Sequence, residues 1–62
     1  MPFITIDLFE GRSLETKREL VETLTAETSR ILGCSADSVH IRFNNVKQED
    51  WSTGGTLWAD KK

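Results

Sequence analysis

Apolar and polar positions alternate from the start of the chain. In Phe3 to Phe9 (FITIDLF), Ile4, Ile6 and Leu8 face one way and Thr5 and Asp7 the other, the period of two that marks a strand. Phe3 and Phe9 end the second face. Two phenylalanines there would lie bare in a one-layer monomer, so this face is read as covered by partner subunits. Glu10-Gly11-Arg12-Ser13 breaks the strand. Ser13 is a good N-cap, and Glu15 follows in the first turn, where the helix dipole favours a carboxylate. The period then changes. Leu20, Val21, Leu24, Ile31 and Leu32 share one stripe, with Thr28 in its gap, while Lys17, Arg18, Glu19, Glu22 and Glu27 take the solvated side. This predicts a helix over 14–32, ended by Gly33.

After the turn Cys34-Ser35-Ala36-Asp37-Ser38, a second strand is predicted from Val39 to about Asn45. Val39, Ile41 and Phe43 lie on one face and His40, Arg42 and Asn44 on the other. A connection that holds a whole helix suits a right-handed parallel crossover and not a hairpin. Val46 to Thr53 reads as a loop, Gly54-Gly55 as a turn, and Thr56-Leu57-Trp58 as the return of a short hairpin. Trp58 is costly to leave bare and is expected to pack on a neighbour. Lys61 and Lys62 form a solvated end. The fold class is therefore α/β (α+β): a β-α-β subunit with two parallel strands, one long helix and a short C-terminal hairpin, as a single domain over 1–62.

Composition adds a constraint. At 62 residues, the candidate core (Ile4, Ile6, Leu8, Leu20, Val21, Leu24, Ile31, Leu32, Val39, Ile41 and Phe43) is small. Domains of this size bury too little surface to be comfortable alone. Cys34 is the one cysteine, so there is no internal disulfide, and no Cys/His cluster offers a zinc site. Oligomerisation is the remaining staple. Eight Lys and Arg against ten Asp and Glu give a net charge of −2, which argues against a nucleic-acid binder. No apolar run approaches a membrane span and no signal peptide opens the chain. A cytoplasmic protein is expected.

Pro2 is the residue with most chemical promise. Initiator methionine is normally removed before a small residue, which leaves proline as the amino terminus. Its secondary amine starts from the α-amino range, near 8. A dry pocket and nearby cations push such a pKa down, because both disfavour the ammonium. A neutral amine at pH 7 takes up a proton as general base and returns it as acid. If Met1 is retained, Pro2 is an amide nitrogen and cannot do this.

Pro2-Phe3-Ile4-Thr5-Ile6, Glu10-Gly11-Arg12-Ser13, Lys17 to Val21 (KRELV), Ser38-Val39 and Gly54-Gly55 together resemble the 4-oxalocrotonate tautomerase family, over the whole chain and without a gap. The resemblance implies a β-α-β subunit assembled as a homohexamer, a trimer of dimers. It also implies cofactor-free keto–enol tautomerisation of a small anionic unsaturated 2-oxo acid, with Pro2 as general acid/base. Arg12 stands at the family's carboxylate-binding arginine, and a guanidinium grips a carboxylate bidentately. Trp51 aligns with an aromatic residue of the family pocket, where an apolar wall keeps the amine neutral. The second strand departs from the pattern: His40 stands where well-known members carry a further arginine. Three readings stay open. His40 polarises the 2-oxo group, or Arg42 replaces the arginine from one pleat away, about 7 Å along the strand, or both belong to a polar interface. Phe3 and Leu8 are further candidates for apolar lining.

Some relatives hydrate or dehalogenate acrylic acids with a loop carboxylate, and Glu49 and Asp50 before Trp51 keep that alternative in view. A non-catalytic oligomer is the other. Cys34 follows a helix C-terminus, whose dipole disfavours a thiolate, so it is not expected to be a nucleophile.

Overall fold

A computed structural model describes residues 1–61. Strand β1 spans Phe3–Phe9, helix α1 Leu14–Leu32 and strand β2 His40–Val46. β1 and β2 pair in parallel, from Phe3 opposite His40 to Phe9 opposite Val46. Strands β3 (Ser52–Thr53) and β4 (Thr56–Leu57) form a small antiparallel hairpin around Gly54-Gly55. Both glycines have positive φ, 59° and 85°, which L side chains adopt only with strain. Short 3-10 turns cover Ala36–Ser38, Gln48–Asp50 and Trp58–Asp60.

The helix begins and ends where its caps dictate. The Thr16 N–H donates to Ser13 Oγ at 3.1 Å. Gly33 adopts the left-handed conformation, φ 68°, and its N–H donates to the Ser29 carbonyl. Ser29 in turn donates its hydroxyl to the Cys34 carbonyl. β2 starts one residue later than the apolar alternation suggests. The N–H of Val39 is taken by the Ala36 carbonyl, which closes the 3-10 turn, and the ladder opens with His40 N–H donating to the Pro2 carbonyl at 3.0 Å. Val46, expected in the loop, is the last residue of β2, opposite Phe9.

The helix covers one sheet face and leaves the other open. Ile4, Ile6, Leu8, Ile41 and Phe43 are half-buried on the helix side, together with Leu20, Val21, Leu24 and Thr28. Ile31 and Leu32, expected in that core, are 66% and 61% exposed, because the helix runs on past the sheet. Lys17, expected on the solvated side, is half-buried. Its Nζ donates to Asn45 Oδ1 at 2.8 Å and lies 5.4 Å from the centre of the Phe43 ring. Its alkyl stem covers apolar surface while its head stays polar.

Among the described residues none is fully buried. The radius of gyration is 15.0 Å, against roughly 11 Å for a compact domain of this length. The accessible surface is 4902 Å², where a folded monomer of this mass exposes about 4,000 Å². The chain is a slab 43 × 24 × 13 Å, one layer of helix on one layer of sheet. Its shape is that of a subunit. The open sheet face carries Phe3, Thr5, Asp7 and Phe9 from β1, and His40, Arg42, Asn44 and Val46 from β2.

Candidate active site

The open face has two ends. At the N-terminal end Pro2 is half-buried, and the backbone bond to His40 anchors its carbonyl. Beside it, Phe3 and His40 stack with ring centres 5.2 Å apart and planes inclined by 26°. This follows from the register, which sets the two directly opposite. Arg42, exposed, lies one pleat further on, opposite Thr5.

The C-terminal end is built by the chain's own tail. After β2 the chain turns back through Gln48–Asp50, and the Trp58 N–H donates to the Trp51 carbonyl at 2.8 Å. That bond extends the hairpin ladder by one rung beyond Ser52 and Leu57. Phe9 then meets Trp51 edge-on, at 6.2 Å and 82°, and Trp58 at 5.1 Å. Lys61 Nζ caps the Trp58 ring at 4.9 Å. Trp58 therefore packs on Phe9 of its own chain. Phe9 is half-buried in the same way, so of the two phenylalanines on this face it is Phe3 that is left bare, at 74% exposure. The Trp58 indole N–H is buried and has no hydrogen-bond acceptor among the described residues.

Between these aromatics lies a cavity of about 240 Å³, lined by Asp7, Leu8, Phe9, Arg12, Val46 and Trp51. Arg12 reaches it from the loop after β1. The turn there uses Gly11 at φ 114°, a conformation few other residues adopt. Trp51 forms the wall and is 44% exposed. Asp7 holds its place through Asn44, its cross-strand neighbour, whose Nδ2 donates to Asp7 Oδ1 at 2.7 Å.

The structure thus brings Arg12 and Trp51 together and places Pro2 and His40 together, but at opposite ends. The seven residues of β1 put about 23 Å between them at 3.3 Å per residue. Within one chain, Pro2 and Arg12 cannot touch the same small molecule. Leu8 lines the cavity as expected, whereas Phe3 lies at the other end. Glu49 and Asp50 are exposed and do not line the cavity. Cys34 is free and half-buried. Asp7, Phe9 and Val46 are the lining residues that the sequence reading did not single out. The alternation had already placed Asp7 and Phe9 on one face, and that was the available signal.

Among the described residues no group of three or more His, Cys, Asp or Glu is arranged to hold a metal ion. No helix there is long and apolar enough to cross a membrane.

Comparison with known proteins supplies the kinship. Residues 2–61 match the family described as tautomerase enzyme. A protein of Streptococcus pyogenes named as a probable tautomerase is 39% identical over 57 residues, 92% of this chain and 93% of that one. The crystal structure of a 4-oxalocrotonate tautomerase homologue superposes with a TM-score of 0.94 at 40% identity, covering 100% of this chain and 98% of that one. A heterohexamer 4-oxalocrotonate tautomerase from Chloroflexus aurantiacus gives 0.89 at 29% identity over 100% of both chains. With the β-α-β architecture, the parallel register and the hairpin all in place, this chain belongs to the tautomerase family.

Proposed function

We propose that this chain is a cofactor-independent tautomerase of small unsaturated 2-oxo acids and their 2-hydroxydienoates, with Pro2 as general acid/base once Met1 has been removed. The observation that carries the reading is the half-buried Pro2 at the head of β1, in a chain of this family. The neutral Pro2 nitrogen takes the enol O–H proton. The electron pair moves through the diene, and protonated Pro2 returns the proton to a carbon further along. Nothing is gained or lost overall, and the substrate's own conjugation spreads the charge, so the chemistry requires no cofactor or metal. Arg12 holds the substrate carboxylate bidentately. Trp51 walls the cavity and keeps water from the amine. His40, adjacent to Pro2 on the sheet, is the nearer of the two candidates for the second polar contact, and Arg42 lies one pleat beyond.

The separation of Pro2 from Arg12 requires that a complete site combine the N-terminal end of one copy with the C-terminal end of another. The same assembly covers the bare Phe3 and supplies the core that a single chain lacks. We read it as a homo-oligomer, and as a hexamer by likeness to the family.

The test is ketonisation of 2-hydroxymuconate and of 2-hydroxy-2,4-pentadienoate, followed by ultraviolet absorbance, with protein whose intact mass shows that it begins at Pro2. Turnover is expected to fall by about 10²–10⁴ in Pro2→Ala, the usual worth of a general acid/base, and to be absent in protein that retains Met1. No rate above buffer with either substrate would overturn the reading.

A further inference from the structure

The cavity at the C-terminal end of the sheet holds an acid as well as an arginine. Asp7 and Phe9 share the open face of β1, two residues and so about 7 Å apart. Asn44 orients the Asp7 carboxylate through its amide, at 2.7 Å, but an amide does not neutralise it. Among the described residues no cation stands within ion-pair distance of Asp7, since the ion pairs there are Arg18–Glu15 and Arg30–Glu27 on the helix. Arg42 is diagonal to Asp7 across the strands and the two do not pair. The remaining lining residues are apolar, so the formal charges in the cavity, Arg12 and Asp7, sum to zero.

We propose that Asp7 makes this cavity selective for monocarboxylates: Arg12 takes the substrate's one carboxylate, and Asp7 turns away a second. The proposal rests on the tautomerase reading for the substrate's conjugated skeleton. A six-carbon conjugated diacid is about as long as one pleat repeat. With one carboxylate on Arg12 and its chain over Phe9 and Val46, its far end runs along the sheet toward Asp7. A methyl, a vinyl or a hydroxyl is welcome there, the hydroxyl as a donor to Asp7. A second carboxylate meets the like charge of Asp7, which is exposed, so the repulsion is modest and sensitive to salt.

Two dienoates that differ at one end alone make the test: sorbate, with one carboxylate and a methyl, and trans,trans-muconate, with a carboxylate at each end. Their Kd values are measured by calorimetry on the assembled protein beginning at Pro2. Sorbate is expected to bind about tenfold more tightly, equivalent to about 1.4 kcal/mol. Asp7→Asn keeps an oxygen for Asn44 and should close most of that gap by tightening muconate, while Arg12→Ala weakens both ligands. In the unaltered protein the gap should narrow as salt is raised, a reading that does not depend on any variant folding. Tighter binding of muconate than of sorbate, a gap that neither salt nor Asp7→Asn moves, or no binding of either ligand overturns the proposal. Binding with the expected preference but without turnover of any 2-hydroxydienoate would overturn the catalytic reading and leave this one standing.

Discussion

At the C-terminal end of the β1–β2 sheet, Phe9 is enclosed by Trp51 and Trp58, and the chain's own hairpin completes a cavity with an arginine in it. At the N-terminal end, Phe3 stacks on His40 and is still 74% exposed, although the proposed base stands next to it. One end is finished by local sequence and the other is left for a neighbour. On the function proposed above, the difference makes of this chain two half-sites of opposite kind. In the proposed mechanism the C-terminal half binds and shields and the N-terminal half carries out the proton transfer, with the sheet between them too long for either to serve the other in the same copy.

Complementation breaks or sharpens that comparison with the largest expected effect. Pro2→Ala and Arg12→Ala should each lower kcat/KM by about 100-fold or more. When the two inactive variants are unfolded and refolded together, mixed assemblies pair an intact Pro2 with an intact Arg12 from different copies, and about a quarter of the sites recover in a random mixture. A mixture no more active than its components would mean that each chain builds its whole site alone.

The exposed N-terminal half should also be where assembly is lost first. Phe3→Asp places a charge at a position that the proposed assembly buries. With no fully buried residue among the described residues, a dissociated subunit has little to hold it folded. Sedimentation should show loss of the oligomer, and the helical circular dichroism signal should fall with it at micromolar concentration. An intact, helical oligomer would place the interface elsewhere.

Much of this was legible in the sequence, for identifiable reasons. β1 and the helix have the predicted bounds, because alternation, the Ser13 cap and the Gly33 terminator all act locally. The family was legible too, from Pro2 and Glu10-Gly11-Arg12-Ser13 at their spacing. Periodicity tells which face a residue takes but not what covers it. Hence the contact between Trp58 and Phe9 within one chain could not be read from it, and Ile31 and Leu32, on the right stripe, overrun the sheet. The charge of Lys17 points to solvent, although its register places it over Phe43. Val46 reads as loop because Asn44 and Asn45 interrupt the apolar pattern just before it. Asp7 was visible as a polar strand residue. That it lines the same cavity as Arg12 depends on where the loop after Gly11 turns, and no local pattern shows that.

A smaller effect is expected within the finished end itself. The Trp58 indole N–H is buried without an acceptor among the described residues, and native proteins rarely leave such a donor unpaired. We expect the acceptor to come from an adjoining copy. Trp58→Phe retains a ring against Phe9 but loses that bond, so Tm should fall, by an amount equivalent to about 1 kcal/mol. A rise in Tm would show that the donor stays orphaned in the assembly, and that this end is as complete within one chain as it looks.

The smallest effect tests whether the comparison exhausts the molecule. The outer helix surface carries Glu27, whose two carboxylate oxygens accept from Arg30 at 2.9 and 3.0 Å. That hydrogen bonding holds the carboxyl below its ordinary value, against a lesser opposing effect of desolvation, and raises Arg30 in turn. A depressed carboxylate stabilises the fold above its unfolded pKa, near 4.3, and loses that contribution as pH falls through the lowered folded value. Here both partners are open to solvent, where salt and side-chain entropy leave such pairs almost nothing. Glu27→Gln should therefore leave Tm and turnover at pH 7 within error of the parent protein, and any residual difference should vanish in acid below the carboxylate range. If Glu27→Gln instead dissociated the oligomer, this helix face would belong to an interface, and the division into two sheet ends would have omitted a third contact surface.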